Sequence, residues 1–319
     1  MSEDSITNEA STAKRALVTG ATGFIGSRLV AHLAQAGWEV AAIGRNASAA
    51  KIARAQCPMV YEYSGQTAEV IAAVTDFRPA VVFHLASLFL ADHTAEQIEP
   101  LVSANILFGT QLLEAIRGAG CTVLVNAGTA WQNFTPEPPY DDAAYAPVNL
   151  YAATKQAFEE IALYYVQVAG MRMITLRLFD SYGAGDTRRK LLRLLLECLR
   201  TGEPLSMSPG EQVLDLVHVD DICRAFLHAA ELAGNETGAR VYAVSGGERR
   251  TLREVARTLE EAAGATLKLE FGGRPYRARE VMHPWDGPAL PGWSPRISLL
   301  EGFRSLLREE KAAQGEADA

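Results

Sequence analysis

Ala16-Leu17-Val18-Thr19-Gly20-Ala21-Thr22-Gly23-Phe24-Ile25-Gly26 is the stretch on which the reading of this chain turns. Its apolar start suits a buried strand, and a helical pattern opens at its end and runs over 26–36. Gly20 and Gly23 let the backbone turn sharply and come close to a ligand without a Cβ in the way. Gly26 then lets the helix sit close to the sheet. The first turn of a helix has N–H groups without partners and a partial positive charge, so this turn is built to hold a phosphate group. A glycine turn between strand and helix also occurs as a plain bend, and the rest of the chain decides between the two.

Strand-like and helix-like segments alternate through the first half. Strands are expected over 16–19, 39–43, 80–85, 122–126 and 172–178, and helices over 26–36, 67–76, 100–119 and 151–168. Strands apolar throughout, such as Val81-Val82-Phe83, fit a parallel sheet covered on both faces. The expected fold is therefore α/β, a Rossmann-type doubly wound parallel sheet over 14–180 with a smaller C-terminal lobe over 181–308. Helices over 187–200, 220–233, 251–263 and 299–311 belong to this second half, and strands near 213–218 and 241–244 are candidates to return to the main sheet. The polar ends, 1–13 and 309–319, lack apolar periodicity and read as disordered.

The chain has 319 residues, 48% hydrophobic and 21% charged, with a formal net charge of −8. That balance argues against a nucleic-acid partner. No segment approaches the roughly 18 apolar residues of a membrane span, and the start shows no basic region followed by an apolar core, so a cytoplasmic protein is expected. Cys57, Cys121, Cys198 and Cys223 show no paired spacing and read as free buried thiols. The six histidines have no metal-ligand spacing, and no metal is expected; His84 and His218 read as structural.

The second strand runs into Gly44-Arg45-Asn46, where an NAD-specific site usually places an acidic residue against the ribose hydroxyls. An arginine there suits the extra phosphate of NADP(H), although a solvated loop arginine is the plain alternative, and NAD stays open. Further on, Tyr151-Ala152-Ala153-Thr154-Lys155 opens a helix after a breaker-rich loop. The spacing of four puts phenol and ammonium on one face. A phenol with an ordinary pKa near 10 is a poor acid or base at neutral pH unless its surroundings tune it, and a nearby cation would stabilise its ionised form. Thr129, the one hydroxyl in the turn Asn126-Ala127-Gly128-Thr129-Ala130-Trp131-Gln132, is the candidate to bind a reacting oxygen, with turn stabilisation as the alternative.

Together these segments resemble the extended short-chain dehydrogenases/reductases, the class that works on nucleotide-activated sugars. The likeness covers nearly the whole chain: GATGFIG at 20–26, HLAS at 84–87, Asn105 in NILFGTQLLEA, Tyr151 with Lys155, RLFDSYGAGD at 177–186, HVDDI at 218–222 and GWSP at 292–295. It implies Tyr151 as proton donor or acceptor, Lys155 lowering its pKa and holding the nicotinamide ribose, and Thr129 on the reacting oxygen. Gly20, Thr22, Gly23, Phe24, Ile25, Gly26, Arg45, Asn46, Leu85, Ala86, Ser87, Asn105 and Phe179 would then serve the cofactor.

NAGTAWQNF, LRLFDSYGAGDTRRKLL and MSPGEQVLDLVHVDDI further resemble the CDP-abequose and CDP-paratose synthase group, which reduces a 4-keto group on a nucleotide-linked deoxyhexose. This likeness places Trp131, Asp180, Arg188, Arg189, Lys190 and the 208–212 loop near a CDP- or dTDP-linked sugar. Two departures from the wider class matter. Leu214 stands where many relatives have an arginine for the diphosphate, so another cation is needed, with Arg189, Lys190, Arg277 and Arg279 as candidates. Ala130 and Trp131 follow Thr129 where dehydratases have Asp and Glu, which argues against elimination of water. The expected activity is reduction by NADPH, with an NAD-dependent 4-epimerase as the alternative and a non-catalytic dinucleotide sensor as a remote one. A homodimer through the helices over 100–119 and 151–168 is expected.

Overall fold

The computed structural model describes residues 14–44, 57–134 and 145–317. Seven parallel strands form the main sheet, in the order β10-β6-β5-β4-β1-β2-β3. They are β1 (Arg15–Thr19), β2 (Glu39–Gly44), β3 (Met59–Glu62), β4 (Val81–His84), β5 (Val123–Thr129), β6 (Arg172–Leu178) and β10 (Ala239–Val244). Chain order reverses between β1 and β4, which opens a crevice at the carboxyl ends of those strands.

The period of two along each strand sorts the side chains into two cores. Ala16 and Val18 of β1, Val40 and Ala42 of β2, and Val81 and Phe83 of β4 point to one face. There they meet α1 (Phe24–Gln35) and α7 (Val219–Asn235) through Leu29, Leu33, Ile222 and Phe226. Leu17, Ala41 and Val82 point to the other. They meet α2 (Thr67–Phe77), α4 (Phe108–Ala119) and α5 (Leu150–Ala169) through Val74, Leu112, Ile116 and Phe158. All of these side chains are buried, so the strands are apolar throughout, as expected for a sheet covered on both sides.

The helix expected over 100–119 is interrupted. A short α3 (Ile98–Val102) leads into a π-helical turn, Ser103–Leu107, before α4 begins. β3 carries no clear apolar signal because it lies at the edge of the sheet with its side chains partly or fully exposed.

The second lobe has its own core. Leu192 and Leu195 of α6 (Leu191–Thr201), Val255 and Leu259 of α8 (Leu252–Ala263), and Leu299, Phe303 and Leu306 of α9 (Leu299–Ala317) form it. Of the strands expected to return to the main sheet, 241–244 does so within β10, which takes the place beside β6. The strand near 213–218 does not. As β9 (Val213–His218), it pairs with β7 (Asp180–Tyr182) and β11 (Arg249–Thr251) in a separate three-stranded sheet. Leu214 and Leu216 pack on the lobe core while Val217 packs on the main one, so β9 joins the two. A parallel pair, β8 (Leu205–Met207) and β12 (Leu269–Phe271), completes the lobe. The closing helix extends beyond the expected end at Lys311, into the segment read as a disordered tail.

Candidate active site

The glycine turn opens the crevice. Gly20 has φ +73°, and a Cβ there would fall 2.7 Å from the backbone of Leu85 and Ala86. A Cβ on Gly26 would lie 2.1 Å from the Gly20 carbonyl oxygen, so this glycine lets the helix close on its own turn rather than on the sheet. Helix α1 starts from Gly23, which has no side chain to cap it, and its first turn has no acidic residue. Its leading N–H groups are thus left to a ligand, the condition that a pyrophosphate requires.

The next strand is tied to this turn. Thr19 Oγ1 bonds His84 Nδ1 at 2.8 Å and accepts from Ala86 N at 3.2 Å, which fixes the segment leaving β4. Burial, with the charge of Lys155 adding to it, pushes His84 down to about 3, so the ring is neutral. Asn105, in the π turn, is the centre of a second set of bonds. Its Oδ1 accepts from Leu88 N at 2.7 Å and from Ser87 Oγ at 3.2 Å, and its Nδ2 donates to Leu88 O at 3.1 Å and to Thr154 Oγ1 at 2.9 Å. The β4 loop is in this way joined to α5 beside Tyr151.

Helix α5 begins at the cap Asn149, whose side chain accepts from Ala152 N at 3.0 Å. The Tyr151 ring meets Phe89 edge-on at 5.0 Å, and Phe89 lies 5.7 Å from Trp131. Burial pushes the Tyr151 phenol up to about 12, against a hydrogen bond with Ser87 and the charge of Arg188. The net shift is upward, opposite in direction to the lowering expected from Lys155. Burial dominates both side chains. It brings Lys155 down to about 8, with Glu159 opposing and Arg177 adding to the effect. Thr129 ends β5; its hydroxyl accepts from Trp131 N at 3.3 Å, which leaves the hydroxyl proton to donate elsewhere.

These residues line one cleft of about 960 Å³, counted out to its solvent-facing mouth. Gly20, Gly23, Phe24, Ile25, Gly26, Leu85 and Ser87 stand along it with Thr129, Trp131, Tyr151, Lys155, Phe179, Asp180 and Lys190. Phe89, Gly128, Leu178 and Ser181, which sequence reasoning missed, line it too. An aromatic ring in a loop and small or aliphatic residues in strands give no chemical signal that would have marked them. Thr22 and Ala86 belong to the backbone around the cleft, and Asn105 supports it from behind. Arg45 and Asn46 fall outside the described residues.

Of the expected cations, Lys190 lies 4.9 Å over the Phe89 ring, and burial pulls it below the usual lysine range, with Asp180 opposing. Arg188 also lines the cleft; it stacks 4.8 Å over Phe24 and donates to Asp186 at 2.6 and 2.7 Å and to Ser181 Oγ at 2.9 Å. Arg189 is exposed and does not line the cleft. Arg279 is drawn to the Pro147 carbonyl at 3.0 Å and the Phe134 ring at 4.5 Å. The exposed Arg277 is not among the lining residues either. The 208–212 loop closes on itself through Ser208 and Gln212 rather than lining the cleft. Among the described residues no group of His, Cys, Asp or Glu could hold a metal, and no helix is long and apolar enough to cross a membrane.

The chain is 27% identical over 273 residues to the CDP-abequose synthase of Yersinia pseudotuberculosis, covering 85% of this chain and 91% of that protein. It is 27% identical over 312 residues to the UDP-glucose 4-epimerase of Mycolicibacterium smegmatis, covering 91% and 96%. The crystal structure of the Thermus thermophilus UDP-glucose 4-epimerase, solved with NAD, superposes with a TM-score of 0.79 at 27% identity over 94% of this chain and 99% of that one. The model of the NAD dependent epimerase/dehydratase family matches residues 16–245, from β1 to just past β10 and across every element that lines the cleft, and the chain belongs to that family.

Proposed function

We propose that this protein reduces the 4-keto group of a CDP- or dTDP-linked 6-deoxy or 3,6-dideoxy hexulose, using NADPH. The observation that carries this reading is the cleft itself, which begins at an uncapped helix and brings Tyr151, Lys155 and Thr129 together along its wall. Any tyrosine phenol is protonated at neutral pH and has a proton to give, which is what reduction of a ketone requires. Likeness to CDP-abequose synthase supports the same class of substrate.

The N–H groups at the start of α1 would hold the cofactor's pyrophosphate, and Arg45 would take its 2′-phosphate. When bound, the nicotinamide supplies the hydride. Thr129 donates its hydroxyl proton to the ketone oxygen and holds it near the Tyr151 phenol. As negative charge develops on that oxygen, Tyr151 transfers its proton to it, which leaves a secondary alcohol and a phenolate that solvent reprotonates. Lys155 would hold the nicotinamide ribose. At position 214 an arginine is lacking, and Leu214 packs into the lobe core, so Lys190 and Arg188 supply the positive charge for the sugar's diphosphate.

A 4-epimerase on tightly held NAD is the second reading, favoured by the epimerases among the relatives and solved structures. Following NADPH and NADH consumption with a panel of CDP- and dTDP-linked 4-keto-6-deoxy sugars tests both. Net oxidation of NADPH with formation of the alcohol is expected. Interconversion of 4-epimers without net consumption, by a protein purified with NAD bound, would instead establish the epimerase.

A further inference from the structure

The floor of the cleft rests on a buried polar cluster outside the acid–base set. Arg177 of β6 and Glu159 of α5 form an ion pair, each 4% exposed. Gln132, fully buried, donates from Nε2 to Glu159 at 2.9 Å and to Gln156 at 2.8 Å; Arg177 Nη2 also donates to Gln156, at 3.2 Å. On its other side, Gln132 Oε1 accepts the backbone N–H of Thr129 at 3.0 Å. A Cβ on Gly128 would fall 2.7 Å from Arg177 Nη1 and 3.2 Å from Gln132 Oε1, so β5 lies against the cluster only because it has no side chain there. Glu159 stands one helical turn after Lys155 on the same face of α5.

A buried ion pair is a weak source of stability, since apolar side chains of similar volume often do as well or better. The meaning of this one lies in what it joins: the turn that carries Thr129, the strand beside it and the helix that carries Lys155. We propose that Gln132, Glu159 and Arg177 are a positioning unit that holds the Thr129 turn in register with α5 and sets the Glu159 carboxylate against the Arg177 guanidinium beside Lys155. The proposal rests on the reading of Thr129, Tyr151 and Lys155 given above.

Lys155 faces Glu159 and Tyr151 on its own helix, Arg177 from β6 and His84 from β4. The His84 ring and the Tyr151 phenol are both neutral at neutral pH, so the charge balance falls to Glu159 and Arg177. Without the carboxylate, two cations face each other in a dry site and Lys155 releases its proton more readily. Without the guanidinium, the carboxylate acts unopposed and the lysine holds its proton to higher pH.

The titration of Lys155 is followed by NMR of the full chain with lysine labelled at 13Cε, the signal assigned with Lys155→Met. The expected midpoint falls by about one pH unit or more in Glu159→Gln and rises by a similar amount in Arg177→Gln, while the double variant returns toward wild type. If Glu159→Gln fails to fold, the upward shift in Arg177→Gln still decides the matter. Midpoints that stay still, or move the same way in both variants, overturn the proposal. For the Thr129 arm, Gln132→Leu is expected to lower kcat at least tenfold with NADPH affinity unchanged; an unchanged kcat overturns that part. The titration needs neither substrate nor cofactor, so failure of the reductase reading, seen as full activity in Tyr151→Phe, is a separate result.

Discussion

Tyr151 and Lys155 lie four residues apart, and that spacing alone places them on one helix face. What surrounds the phenol is a different question, decided by Phe89, Ser87 and Arg188, which arrive from other parts of the chain. Tyr151→Phe removes the proton donor and keeps the ring packed against Phe89. It should lower kcat by about 10²- to 10⁴-fold in the sugar–NADPH assay, with NADPH affinity measured by fluorescence nearly unchanged. His84 has a different consequence. Its folded value of about 3 lies below the ordinary histidine value near 6.5, so between these pH values the unfolded chain binds a proton that the fold excludes. Stability should therefore fall as pH drops from about 6.5 towards 3. His84→Asn, which keeps a polar group for Thr19, should show a shallower loss across that window in urea unfolding midpoints. An equally steep loss would show that other groups carry the acid sensitivity.

At the scale of elements, the expected strands and helices of the main sheet recur within a few residues because each carries its own period and its own breakers. The exceptions depend on neighbours. The π turn at Ser103–Leu107 interrupts a pattern that reads as one helix, and its effect is to turn Asn105 towards Leu88 and Thr154. β9 has apolar residues on each face, Val213 and Val217 on one and Leu214 and Leu216 on the other, and so reads as a candidate for the main sheet; only the position of β10 beside β6 shows that it belongs elsewhere. The HVDD and GWSP segments also acquire a physical role. Asp221, fully buried at the start of α7, accepts from Arg296 N at 2.8 Å and Ile297 N at 3.0 Å and pairs with Arg224. It fastens the segment leading into α9 to the main sheet's helix layer. Asp221→Ala leaves two backbone donors and a guanidinium without their acceptor, and should reduce stability by about 3 kcal/mol in chemical denaturation. A loss under about 1 kcal/mol would mean that water replaces the carboxylate without difficulty.

At the scale of the whole molecule, α3, the π turn and α5 lie side by side and expose Ile98, Val102, Leu107, Tyr164 and Val168. Such a set of apolar side chains on adjoining helices suits a second copy of the chain, and we propose a homodimer through this face. Light scattering should give a mass near twice the 34.5 kDa of one chain, and Leu107→Glu with Tyr164→Glu should return it to the single-chain value. A wild-type mass of one chain would exclude the dimer. The alternation of the main sheet, the glycine turn and the Tyr–Lys spacing all rest on residues within a few positions of one another, which is why the order of residues suffices to read them. Burial does not work that way. The raised Tyr151 phenol, the neutral His84, the placement of Arg188 and Lys190 rather than Arg189 along the cleft, and the cluster beneath Lys155 depend on which distant segments exclude water from one another. Desolvation and charge pairing are properties of that three-dimensional arrangement, and only the folded chain settles them.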